Sequence, residues 1–162
     1  MTNPCRPLPN EGRLAGIDYG TVRIGIAITD PQQRLASPLE SYERSSDVAD
    51  ASFFRQLVER EKVAGFVVGL PVHTSGQESR KSKEAREFGQ WLQKVTGLPV
   101  VFFDERYSTV QADELLTAGA LKGKKRKRRR DMVAAQVLLS EFLESGRRGE
   151  PTLPLEDQGT PV

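Results

Sequence analysis

Leu14-Ala15-Gly16-Ile17-Asp18-Tyr19-Gly20-Thr21-Val22-Arg23-Ile24-Gly25-Ile26-Ala27-Ile28-Thr29 decides the fold. Val22, Ile24, Ile26 and Ile28 alternate with Arg23, Gly25, Ala27 and Thr29, the period of two that marks a strand with two unlike faces. Residues 13–19 and 22–29 therefore read as two strands around Tyr19-Gly20-Thr21. Asp30-Pro31-Gln32-Gln33 turns the chain into a third strand near 34–42. Links this short make the three an antiparallel meander.

Beyond the meander the pattern changes. Ser45-Ser46-Asp47 starts a helix with Phe53, Phe54, Leu57 and Val58 on one side. Residues 63–69 (Val-Ala-Gly-Phe-Val-Val-Gly) form an uninterrupted apolar run of the kind buried on both faces of a sheet. A charged helix over about 77–96 carries Phe88, Trp91, Leu92 and Val95 as its apolar stripe and ends at Gly97. Residues 98–103 are another buried strand, and helices near 109–118 and 130–145 follow. Helices that alternate with strands imply parallel strands joined by crossovers. The expected architecture is an α/β mixed five-stranded sheet with helices on both faces.

A chain of 162 residues fits one domain, here 12–146 between a Pro-rich leader (1–11) and a disordered tail (147–162). No apolar run approaches the ~18–20 residues that span a bilayer, and the leader lacks the apolar segment of a secretion signal. The one cysteine, Cys5, excludes an internal disulfide and has no partner for a zinc site. A cytoplasmic protein is expected. The net charge of +2 hides an asymmetry, because eight of the 24 basic residues lie within 122–130 while all 22 acidic residues lie elsewhere. An acidic body with one cationic segment points to a polyanionic partner met at one place.

Three acids stand where an ordinary surface acid would not. Asp18 closes the first strand, at the carboxyl end where α/β sheets place their ligands, although an Asp there could simply initiate the turn. Asp104 and Glu105 follow the last strand and point to opposite faces if it persists, so only one can meet Asp18; both could instead flank Arg106 in a surface ion pair. Asp131 opens the helix whose stripe is Ala134, Ala135, Leu138 and Phe142, a position that also suits an N-cap. Converging carboxylates hold hard divalent cations, and two such ions can hydrolyse a phosphodiester. The adjoining run of Lys122, Lys124, Lys125, Arg126, Lys127, Arg128, Arg129 and Arg130 reads either as a solvated loop or as the lever that delivers a phosphate backbone. Gly69-Leu70-Pro71 with Thr74, Ser75 and Gly76 lacks a GKT or GKS signature, His73 reads as a loop residue, and no G-x-S-x-G occurs.

Four segments together resemble the YqgF family, also called RuvX, whose members are named as pre-16S rRNA nucleases or Holliday-junction resolvase homologues. They are Gly16-Ile17-Asp18-Tyr19-Gly20-Thr21-Val22-Arg23-Ile24-Gly25, Val68-Gly69-Leu70-Pro71, Asp104-Glu105-Arg106-Tyr107-Ser108-Thr109, and Asp131 with Ala134-Ala135. The resemblance implies an RNase H-like fold with strand order 3-2-1-4-5. It implies that Asp18, Glu105 and Asp131 form the acidic triad, which selects Glu105 over Asp104. On this reading a pair of Mg²⁺ or Mn²⁺ ions is expected, bridged by Asp18 with Glu105 and Asp131 each helping to hold one, and the expected partner is precursor rRNA, the substrate the resemblance implies, or branched DNA, contacted by the basic run and Arg106. The basic stretch here is longer than the short Lys-Gly-Lys pattern of the family. A monomer would serve RNA trimming, whereas a resolvase wants a homodimer. Two rivals stand beside this reading. An actin-like ATPase would share Asp18-Tyr19-Gly20-Thr21 but needs a second phosphate motif that the chain lacks, and a non-catalytic RNA-binding module would bind without cutting.

Overall fold

The meander forms as its alternation requires: β1 (Arg13–Asp18), β2 (Arg23–Thr29) and β3 (Ala36–Glu43) pair antiparallel in sequence. The computed structural model describes residues 7–71, 79–104, 123–146 and 150–151. Helix α1 (Asp47–Glu61) starts at Ser46, whose hydroxyl accepts from the Ala49 amide at 3.1 Å, and Asp47 and Asp50 set negative charge at its positive end. It leads to β4 (Val63–Leu70), then α2 (Arg80–Thr96), capped by Ser79 and stopped by Gly97 in the left-handed region at φ 72°. Strand β5 (Val100–Asp104) follows, and then α3 (Gly123–Glu144).

The strand order is β3-β2-β1-β4-β5-β6, with β1, β4 and β5 parallel to one another. The expected order 3-2-1-4-5 is therefore present. The sixth strand is a two-residue addition, β6 (Glu150–Pro151), antiparallel to β5 and inside the stretch expected to be a disordered tail. The end of the expected leader is likewise held: Leu8 packs on the core, and the Gln33 side-chain amide donates to the Pro9 carbonyl at 2.9 Å. The expected helix near 109–118 and residues 72–78, with His73, Thr74, Ser75 and Gly76, lie outside the described residues, as does Cys5.

The sheet separates two cores. On one face Ala15, Ile17, Ile24, Ile26, Phe66 and Val68 meet Phe54 and Leu57 of α1 and Phe88 and Leu92 of α2. Burying a side chain such as Phe54 contributes roughly 1.5–3 kcal/mol. On the other face Leu14, Ala27, Val67 and Val101 meet Ala135, Leu139 and Phe142 of α3. That helix sits very close to the sheet because Gly16 and Gly25 lack side chains. A Cβ on Gly16 would come within 2.9 Å of the Leu139 Cβ, and one on Gly25 would collide with the Asp131 carbonyl.

One expectation needs correction. Helix α3 begins at Gly123 rather than near 130, so the basic run from Lys124 to Arg130 is its first two turns and not a loop. Lys and Arg are good helix formers, and that propensity prevails over the repulsion among them. Asp131 consequently lies inside the helix and is not its N-cap.

Candidate active site

The strand register carries the site. Asp18 in β1 faces Gly25 in β2, and Gly25 faces Ser41 in β3, so the three form one row across the sheet. Directly paired residues on neighbouring strands lie about 4.5–5.5 Å apart. Asp18 follows Leu14 and Gly16 at two-residue intervals, which puts it on the α3 face; Tyr19 packs with the opposite core. Asp131 lies one turn before Ala135 on the stripe of α3 that meets the sheet, and its backbone rests on Gly25. The fold thus brings Asp18 and Asp131, 113 positions apart in sequence, to one face at the carboxyl end of β1. Both are partly buried.

The Asp131 carboxylate leans toward β3. Its Oδ2 accepts from Arg23 Nε at 2.9 Å and from Ser41 Oγ at 3.3 Å, with the Arg23 and Asp131 side chains about a third and a fifth exposed. A partly exposed pair of this kind contributes up to about 1 kcal/mol. Asp18 and Asp131 are the two members of the expected triad that can be placed. Glu105, with Arg106 and Lys122, lies outside the described residues, and among the described residues no three of His, Cys, Asp and Glu come together. Asp104 is placed: it continues the Val100–Phe102 series that faces α1 and α2, opposite to Asp18 and Asp131, and it is exposed. Lys124, Lys125, Arg126, Lys127, Arg128, Arg129 and Arg130 are all exposed on the two turns that precede Asp131.

A supporting network lies behind the site. Asp50, 1% exposed, accepts from Tyr42 Oη at 2.7 Å, from the Ser45 amide at 3.0 Å and from Arg44 Nε at 3.3 Å. Arg44 also donates to Tyr19 Oη at 3.0 Å and lies over the Tyr19 and Phe88 rings. Burial acts to raise the Asp50 pKa, but the Ser45 amide, the Tyr42 hydroxyl and the Arg44 guanidinium outweigh it and hold the acid below its ordinary value. The Tyr42 hydroxyl is pushed up to about 12, by burial first and by Asp50 second. Tyr19 directly follows Asp18, so this network fixes the chain where the catalytic candidate leaves its strand. Sequence reasoning missed it, because Asp50 reads as an ordinary first-turn acid. A hollow of about 450 Å³ lined by Asn10, Glu11, Gly12, Pro31, Gln32 and Arg34 lies at the other end of β1, away from these acids.

Comparison with known proteins places this arrangement in a wider set. A family model described as "RuvX: Holliday junction resolvase" matches residues 12–145. A protein of Rhodopirellula baltica named "Putative pre-16S rRNA nuclease" is 54% identical over 143 residues, covering 88% of this chain and 83% of that one. A protein of the same name from Koribacter versatilis is 38% identical over 143 residues, covering 88% and 92%. Among solved structures, T. thermophilus RuvC in complex with a Holliday junction substrate superposes with a TM-score of 0.54 at 16% identity, covering 86% of this chain and 98% of that chain. Fowlpox virus resolvase with its Holliday junction DNA gives 0.52 at 10% identity, covering 84% and 99%. At such identities the structural likeness speaks for the fold, which is that of the resolvases. No helix among the described residues is long and apolar enough to cross a membrane.

Proposed function

The chain belongs to the RuvX family, and on that premise we propose that it is a divalent-metal-dependent nuclease that processes the 5′ end of precursor 16S rRNA. The observation that carries the proposal is the convergence of Asp18 and Asp131 on one face of the sheet, at the end where α/β folds bind ligands. The donor set fits a hard cation. It is made of carboxylate oxygens, and Asp131 is already turned to hold a positive charge, that of Arg23 at 2.9 Å. Asp18, Asp131 and Glu105 are the proposed ligands. Asp104 is set aside, because it belongs to the opposite face. A pair of Mg²⁺ or Mn²⁺ ions bound there would supply an activated water and a counter-charge for the departing 3′ oxygen.

The chain's own groups prepare that chemistry. Arg44 holds Tyr19 and so fixes the exit of β1 beside Asp18. Gly25 admits the backbone of Asp131 to the sheet, and the Asp131 carboxylate, bonded to Arg23 and Ser41, is the one an incoming cation would take over. The exposed cations of the first two turns of α3 bind the phosphate backbone next to the acids. The same site would serve a four-way DNA junction, the second reading, favoured by the resolvase description of the family model.

The test is cleavage of precursor 16S rRNA, single-stranded RNA and a four-way junction with Mn²⁺, by wild type and by Asp18→Asn. The variant should lose more than about 100-fold, beyond what changes next to a metal ligand cost, and should keep its thermal stability. Equal cleavage by the two proteins would end the metal-site reading. Cleavage of the junction in preference to rRNA would select the second reading, and binding without cleavage by the wild type would leave an RNA-binding module.

A further inference from the structure

The first two turns of α3 have a charge distribution that a single phosphate strand does not use. Successive residues of an α-helix lie about 100° apart. Lys124, Lys125, Arg126, Lys127, Arg128 and Arg129 therefore point in every direction around the axis, and all six are exposed. None of them makes an ion pair or a side-chain hydrogen bond with the described residues. A helix that lies along one backbone needs cations on one side only. The opposite side gains nothing there and costs repulsion: 124 with 128, 125 with 129 and 126 with 130 are like-charge pairs one turn apart. The start of a helix is also where cations are disfavoured. An arrangement that is unfavourable alone and cationic on all sides matches an environment with phosphate on more than one side.

A duplex groove is that environment. Residues 123–130 make a rod of about 12 Å, with a diameter of about 10–12 Å, and the major groove of B-DNA is about 12 Å wide and about 8.5 Å deep. The A-form groove of RNA is narrow, so entry there needs a bulge, a loop or a helix end that opens it. We propose that the first two turns of α3 enter the open major groove of a nucleic-acid duplex. Asp131, the next residue, then stands beside one wall of that groove. The substrate selected in this way carries duplex next to the scissile bond. A bare single strand is a poor match. The inference rests on the nuclease reading for the role of Asp131, whereas the groove contact is read from the helix alone.

The experiment measures binding of the full-length protein, in EDTA and over a range of salt, to a bulged RNA hairpin, a B-form DNA duplex and a single-stranded RNA of equal length. Three double variants each remove one side of the rod: Lys124→Gln with Arg128→Gln, Lys125→Gln with Arg129→Gln, and Arg126→Gln with Lys127→Gln. Each should weaken duplex binding by a similar factor and flatten the dependence of log K on log salt by about 1.8, two contacts' worth. Single-stranded RNA should bind more weakly than either duplex. A loss confined to one of the three variants, no loss in any, or single-stranded RNA binding as tightly as duplex would overturn the proposal. Preference between the bulged RNA and the DNA identifies which duplex supplies the groove, and either preference supports it. Wild type that binds in the expected pattern but cleaves nothing with Mn²⁺ sinks the nuclease reading alone.

Discussion

The two faces of the sheet solve different problems. The face toward α1 and α2 is filled by large side chains: Phe54 lies edge-on to Phe66, Phe88 and Trp91 at centroid separations of 6.4, 5.7 and 6.2 Å, and Tyr42 stacks on Phe53 at 3.9 Å. The face toward α3 is built by subtraction. Gly16 and Gly25 remove side chains so that the helix comes close, and the apolar contact gives way to Asp18, Asp131, Arg23 and Ser41 at its end. One face carries stability, and the other holds charges in place near a solvent-accessible edge. The difference teaches where function can be altered without unfolding the protein.

Gly25→Ala breaks that contrast most directly. The new methyl group meets the Asp131 carbonyl, a backbone atom that can move only if α3 moves. Overpacking of this kind costs about 1–3 kcal/mol, and a displacement near 1 Å at a reacting centre costs about 100-fold in rate. The expected outcome is a lowered Tm and cleavage down about 100-fold. Phe54→Ala on the other face is the control, with a loss of about 3–5 kcal/mol in stability and unchanged cleavage per folded molecule below its own Tm. Wild-type cleavage by Gly25→Ala would show that the seating of Asp131 does not matter.

How far the chain's residues announced this contrast depends on the range of each interaction. The alternation from Val22 to Thr29, the apolar run into β4 and the caps at Ser46 and Gly97 are local signals, and each marks an element close to where it forms. Asp18 was visible for the same reason, as an acid that ends an apolar strand. The start of α3 was not. A charge argument sees repulsion between Lys124 and Arg130, while the backbone responds to the helix propensity of the same residues. Nor could sequence spacing show that Arg23 and Ser41 meet Asp131 across 108 and 90 positions, or that Tyr42 and Arg44 stabilise a buried Asp50. Those contacts exist only once the sheet has ordered its rows.

Arg23→Gln sharpens the comparison on the charged face. Arg23 is the cation that Asp131 now holds, so at the proposed metal site it would compete with a divalent ion for that carboxylate. Without added metal the variant should lose about 1 kcal/mol or less, the worth of an exposed pair. Mn²⁺ should then stabilise the variant more than wild type. A tenfold gain in affinity adds about 1.4 kcal/mol at saturating metal. Thermal unfolding with and without Mn²⁺ reads the difference. A smaller Mn²⁺-induced shift in the variant would mean that Arg23 orients Asp131 for the metal instead of competing with it.

The smallest effect on the charged face comes from the network on the face toward α1 and α2. The folded pKa of Asp50 lies below its unfolded value, so its contribution is complete above the unfolded value of about 3.9 and is lost as pH falls through the folded one. Tyr42 works in the other direction: with its pKa raised to about 12, its contribution is complete below the unfolded value near 10 and is lost as pH climbs through the folded one. Urea unfolding from pH 3 to pH 11 should therefore show an acid limb that flattens in Asp50→Asn and an alkaline limb that flattens in Tyr42→Phe. Mn²⁺ affinity at pH 7 should stay within a few-fold of wild type in both, because neither substitution removes the bond from Arg44 to Tyr19 that holds the chain beside Asp18. An acid limb as steep in Asp50→Asn as in wild type would move the acid sensitivity to other carboxylates. A large loss of Mn²⁺ affinity in either variant would show that Asp50 and Tyr42 are needed to keep Arg44 on Tyr19, and so to set the position of Asp18.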